Sequence, residues 1–180
     1  MIERLVFTFL CFLFCAFPAM TQEDGSTRFG YRSFSISPMG IYAGNNSGFA
    51  LSADVSFDYR KNIFSLGFGG GSEGDFIGKN DSFTEVNFLY GRSFPLNEKL
   101  FTEVFVGAGY FRFNTYGVID SETNRKGDID NKTIGFPIGA KLQFKLGPRY
   151  SMGIKLAANI NSAESLGTLG LVLQWNRKRE

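Results

Sequence analysis

Residues Thr133–Leu146 read TIGFPIGAKLQFKL. Ile134, Phe136, Ile138, Ala140, Leu142, Phe144 and Leu146 alternate without a break with Thr133, Gly135, Pro137, Gly139, Lys141, Gln143 and Lys145. Successive side chains of a strand point to opposite sides, so an apolar residue at every second position describes a strand with one greasy and one wet face. Ordinary soluble strands end after about 5–6 residues, whereas a strand that crosses a bilayer needs about 9–11. The stretch is long enough to cross.

The same period recurs along the chain. It predicts strands at Arg32–Tyr42, Phe49–Arg60, Ile63–Gly70, Ser82–Phe94, Lys99–Arg112, Thr133–Leu146, Tyr150–Asn161 and Gly167–Asn176, with no helical periodicity. Pro38 sits awkwardly in the first of these and leaves its register open. Lys61-Asn62, Pro95–Glu98 and Gly147-Pro148-Arg149 are short turns, while Gly71–Asp81 and above all Phe113–Lys132 are longer polar loops. Short turns on one rim and longer loops on the other are the mark of a transmembrane barrel. The expected fold is all-β, an eight-stranded antiparallel up-and-down transmembrane β-barrel in the outer membrane. An even strand number puts both termini on the periplasmic side.

Alternation alone does not say which face is outside, because a soluble barrel of lipocalin type has the same period with its greasy side chains inward. The wet face here is largely Gly, Ser, Ala, Thr and Asn, which suits a narrow interior better than a solvated surface. Its sparse charges carry both signs: Asp54, Asp58, Arg60, Glu85, Glu103, Lys141, Lys145 and Lys155. Turned inward, they are expected to neutralise one another, with the two glutamates paired to lysines. Aromatic residues near strand ends (Phe49, Tyr59, Tyr90, Tyr110, Tyr150, Trp175) fit interface girdles.

The chain of 180 residues carries a net charge of +2, which offers no basic stripe for nucleic acid. Arg4 followed by the apolar run Leu5–Phe17 and then Pro18-Ala19-Met20-Thr21 has the layout of a secretory signal peptide. Residues 1–21 are expected to be cleaved, 22–31 to form a periplasmic lead-in, 32–176 the barrel and 177–180 a polar tail. Cys11 and Cys15 would leave with the signal.

The segments YRSFSISP, FDYRKNIFSLGFG, SFTEVNFLYGRSF, EVFVGAGYF, TIGFPIGAKLQF and NINSAESLGTLGLVLQW resemble small outer-membrane β-barrel (porin-like) proteins of Bacteroidota type over Tyr31–Trp175. In architecture the chain is also similar to the OmpA- and OmpX-like barrels. The resemblance implies a C-terminal signal for the barrel-assembly machinery, and Thr168, Gly170, Leu173 and Trp175 match its spacing. Asn176–Glu180 follows the aromatic residue that usually ends such chains.

Catalytic chemistry finds little support. Enzymes on eight-stranded outer-membrane barrels resemble lipid A deacylases and palmitoyltransferases that rely on histidine, and this chain contains 0 His. Ser151 and Lys155 share a strand face but read as interior packing. The Gly69–Gly74 run opens no helix and is no nucleotide fingerprint. Asp120, Glu122, Asp128 and Asp130 lack EF-hand spacing and read as a solvated loop. The expectation is a non-catalytic integral outer-membrane barrel with a structural or surface-loop binding role, its interior plugged by charged and small polar side chains, without cofactor or metal. Its partners would be outer-membrane lipid, the assembly machinery, and an extracellular ligand met through residues 113–132. A narrow ion or small-solute channel and a soluble secreted lipid-binding barrel stand as alternatives.

Overall fold

A computed structural model describes residues 29–45, 47–73, 80–119 and 126–177. The chain forms β1 (Gly30–Ala43), β2 (Ser47–Tyr59), β3 (Asn62–Glu73), β4 (Ser82–Pro95), β5 (Leu100–Ile119), β6 (Lys126–Lys145), β7 (Tyr150–Ile160) and β8 (Leu166–Asn176). Each strand pairs with the next, and β1 pairs antiparallel with β8, so the sheet closes into a barrel without a free edge along its wall. The expected signal peptide (1–21), residues 22–28 of the expected lead-in and residues 178–180 of the expected tail lie outside the described residues.

Burial decides the face that alternation left open. Ile134, Phe136, Leu156 and Leu171 are 66%, 59%, 60% and 53% exposed, while Gln143, Glu103, Lys141 and Asp54 are 0%, 1%, 3% and 3% exposed. The barrel is apolar outside and polar inside, the inverse of a lipocalin. An apolar coat of this extent is not a surface that water tolerates. Charged or polar rows bound it. Thr84, Arg112 and Lys132 stand in register at one end, and Tyr59, Asn62 and Arg92 at the other. From Thr84 to Arg92 the β4 chain advances about 26 Å at ~3.3 Å per residue. Strand tilt shortens this to about 20 Å along the axis, close to the roughly 25 Å apolar band of outer-membrane barrels.

Two prolines sit where the ladder is irregular. Pro38 occupies a bulge seen from both neighbours, since the register slips by one residue between Ser37 and Gly40 against β2 and between Ile36 and Met39 against β8. The extra residue moves the inward set of β1 from Ser33, Ser35 and Ser37 to Gly40 and Tyr42, which is why a uniform period could not place this strand. Pro137, which has no N–H to give, lies where the β5–β6 partner pairs stop at Val106↔Ile138 and resume at Gly109↔Gly135.

The expected loop at 113–132 is mostly strand. β5 and β6 are each 20 residues long and pair as far as Ile119↔Lys126. β7 follows β6 only to Phe136↔Ile160, and β4 follows β5 only to Ser82↔Asn114. The hairpin therefore stands beyond the wall. Its ladder needs only the two backbones, so it continues where the alternation that serves lipid has ended. At the opposite rim the turn is Arg60-Lys61, with Tyr59 paired to Asn62 and Arg60 at φ 56, a left-handed conformation.

Candidate functional site in the barrel interior

At the turn end, Arg32 enters the barrel from the first bulge of β1. Its Nη1 donates to Asp58 Oδ1 at 3.0 Å, and its Nη2 to Glu103 Oε1 at 2.5 Å. Next to this lies a closed ring of side chains from three strands. Ser151 Oγ donates to Gln143 Oε1 (2.7 Å), Gln143 Nε2 to Gln174 Oε1 (2.7 Å), Gln174 Nε2 to Asn176 Oδ1 (2.8 Å) and Asn176 Nδ2 to Ser151 Oγ (3.2 Å). Each group gives and receives once, the arrangement in which hydrogen bonds polarise one another.

Mid-barrel, Lys141 Nζ donates to Asp54 Oδ1 (2.6 Å), Asp54 Oδ2 (2.9 Å) and Ser35 Oγ (2.8 Å), and its charge lies 5.2 Å from the Phe105 ring centre. Burial of an ammonium is tolerable here because all three of its donors are used and its countercharge is in contact. Lys155 Nζ donates to Ser52 Oγ at 2.8 Å. Asn159 Nδ2 donates to Glu85 Oε2 at 2.6 Å. Room for that last pair comes from glycine: a β-carbon on Gly69, opposite Glu85 in register, would stand 2.6 Å from Glu85 Oε1. A cavity of about 50 Å³ remains among Asp54, Glu85, Asn87, Lys141, Lys155 and Asn159. Asn87 Oδ1 borders it without a protein partner.

The hairpin end is closed by apolar groups that the alternation did not reveal. Tyr42, Phe83, Phe111, Phe113 and Leu166 form a buried cluster inside the mouth. Phe83 meets Tyr42 edge-on at 5.1 Å and stacks on Phe111 at 6.0 Å.

Of the expected interior charges, Asp54, Glu103 and Lys141 are buried, and Asp58, Glu85 and Lys155 are half-buried on the inner face. Arg60 and Lys145 are not interior. β2 ends at Tyr59, which leaves Arg60 in the exposed turn with its guanidinium 5.5 Å from the Tyr59 ring centre. Lys145 ends β6 at the rim of the short turns, exposed, and its Nζ donates to the Glu98 carbonyl at 3.2 Å. Glu103 takes Arg32 as partner and Glu85 takes Asn159, where lysines were expected. Arg32 was missed because it precedes the first regular stretch of β1. The amide ring was missed because Gln143 and Gln174 have no charge to flag them.

Ser151 and Lys155 are held by different partners, Gln143 and Ser52, and make no dyad. Gly69–Ser72 are part of β3. Asp120 and Glu122 lie outside the described residues, and Asp130 is engaged by Arg112 Nε (2.7 Å) and Lys132 Nζ (3.0 Å). Those two cations, Arg112 by hydrogen bond foremost, hold the Asp130 carboxyl below its ordinary value. On β8, Leu173 and Trp175 face outward and Thr168 and Gly170 inward. Gly170 lies where the bulged part of β1 comes close, with Met39 O 2.9 Å from where its β-carbon would be.

No family model and no curated protein matches the chain. Solved structures do. Neisserial surface protein A aligns over 86% of this chain and 100% of its own, at 8% identity and a TM-score of 0.62. A major outer membrane protein from Thermus thermophilus aligns over 81% and 99%, at 12% identity and 0.58. Ail, the attachment invasion locus protein of Yersinia pestis, aligns over 86% and 99%, at 13% identity and 0.56. At such identities the likeness is one of fold, and the fold is that of the small eight-stranded outer-membrane β-barrels.

Proposed function

We propose that the chain is a non-catalytic integral protein of the outer membrane, closed to solutes, that acts through the β5–β6 hairpin at the cell surface. The observation that carries this reading is the stacking of the aromatic cluster, the Lys141–Asp54 pair and the Arg32–Glu103 layer along one narrow bore. Interior charges in contact with their counterions serve as a plug. The start of β1 and the end of β8 share the turn end with the three short turns, which supports a periplasmic position for that rim and an extracellular one for the hairpin. Names such as surface protein and attachment invasion locus protein among its fold neighbours are in keeping with an adhesive role. The porin-like family of Bacteroidota type and the assembly signal at Thr168, Gly170, Leu173 and Trp175 rest on the sequence segments that suggested them.

Two measurements test this. Folded protein should fractionate with the outer membrane and shift its gel mobility on boiling, and recovery from the periplasm without detergent would refute it. In planar bilayers the folded barrel should stay at baseline current across applied voltage. Discrete current steps would instead favour the narrow channel, with the cavity beside Lys155 as part of its path.

A further inference from the structure

On the outer face of β2, β3 and β4 near the turn end, Phe29, Phe57, Tyr59, Phe64, Leu66 and Phe88 border an open groove of about 430 Å³. One wall is the stack of Phe29 on Phe57, with ring centres 5.2 Å apart. The other is Phe64 against Phe88 at 6.3 Å and Tyr90 at 5.7 Å. Phe57 and Phe64 are partners in register, yet each packs sideways and leaves the space between the walls open. The rows of the sheet change chemistry abruptly along this groove. Val55, Leu66 and Phe88 form one apolar row, and Phe57, Phe64 and Tyr90 the next. The row after that is Tyr59, Asn62 and Arg92. There Asn62 Oδ1 accepts from Tyr90 Oη at 2.8 Å and from Arg92 Nε at 3.3 Å. Arg60 follows in the turn, its guanidinium held over the Tyr59 ring.

We infer that this groove is a binding site for one glycerophospholipid of the turn-side leaflet, its acyl chain between the aromatic walls and its phosphate between Arg60 and Arg92. The inference rests on the reading of the apolar coat as lipid-facing. Charge complementarity selects the occupant. Two arginines, the side chain best suited to phosphate, stand in the row and the turn next beyond the apolar rows of the groove. A second copy packed through this same face about a twofold axis would set two more arginines against these. Arg60 stands at φ 56, where glycine would be at ease, so Arg60→Gly removes the cation without straining the turn.

The test is native mass spectrometry of the folded barrel in detergent with added palmitoyl-oleoyl phosphatidylglycerol, and in parallel with a diacylglycerol of the same chains. The expected result is a one-to-one phosphatidylglycerol adduct and no diacylglycerol adduct. Arg60→Gly with Arg92→Gln should weaken the adduct about tenfold or more, and Leu66→Trp, which fills the slot from an exposed position, should abolish it. Arg60→Gly relieves the turn, so that variant keeps its heat-modifiable mobility. Equal retention of both lipids, or retention unchanged in both variants, overturns the site while leaving the membrane barrel intact. A dimer that displaces lipid also overturns it. Loss of the folded, membrane-inserting form in the wild-type chain would instead refute the membrane reading itself.

Discussion

Lys141 Nζ lies between both carboxylate oxygens of Asp54, from the opposite side of the bore, with neither side chain reaching water. Removal of one partner leaves the other charged and unpaired. Lys141→Met is expected to destabilise the barrel by about 3–5 kcal/mol, and Lys141→Met with Asp54→Leu to recover most of that loss. Denaturant titration in lipid vesicles, with gel mobility as the readout, checks both. A double variant as weak as the single one would mean that the pair holds the strands by more than charge.

The same contrast should appear at Arg32, whose guanidinium joins Asp58 to Glu103 across the bore. Arg32→Met strands Glu103, the more deeply buried carboxylate, and is expected to cost about 3–5 kcal/mol. Arg60→Met and Lys145→Met, at exposed positions, should each lie within about 0.5 kcal/mol of wild type.

On the proposed reading the aromatic cluster at the hairpin end shares the plugging of the bore with the charged layers. Phe83→Ala with Phe111→Ala is expected to lower stability by about 3–5 kcal/mol or more and to leave bilayer current at baseline, because the charged layers remain beneath. Current steps in this variant would locate the barrier in the rings.

Much of the architecture was readable because lipid imposes a period. Wherever a strand crosses the apolar coat, as at Phe49–Tyr59 or Ile134–Phe144, every second residue must be apolar, and the strand and its outward face follow. Where lipid stops, the pattern stops too. The hairpin beyond Arg112 and Lys132 is built from backbone pairing that Asn, Asp, Gly and Lys permit as well as Val or Phe. Interior partners were the least legible, because they depend on which residues meet across the bore. Period two places Glu103 inside but does not say that Arg32, from a strand whose register slips, arrives opposite.

That slip has its own test. Deletion of Pro38 joins Ser37 to Met39 and keeps Met39 outward, Gly40 inward and Tyr42 in the mouth cluster, with an unbroken ladder to β2 and β8. The deleted chain is expected to fold and to shift on boiling, with Tyr42 still shielded from aqueous nitration. Exposure of Tyr42 would mean that the bulge sets more than parity.

Outside the bilayer the hairpin should respond to acid and salt. Arg112 and Lys132 keep Asp130 ionised below the usual carboxylate value of 3.8. The triad's support is therefore complete above that pH and fades as the pH drops through the lowered value. Amide exchange near Asp130 should be constant from pH 5 to 8 once corrected for intrinsic rates, and should accelerate under strong acid or high salt. A change centred between pH 6 and 7 would point to another group.

The ring of Gln143, Ser151, Gln174 and Asn176 has a meaning for biogenesis. Half of its members lie on β8, the last strand of the barrel, and that strand also completes the seam with β1. Without β8 the ring is open, since Gln143 Nε2 loses its acceptor on Gln174 and Ser151 Oγ its donor on Asn176. Docking of β8 joins the first strand of the barrel to the last and completes the inner ring of side chains in the same step.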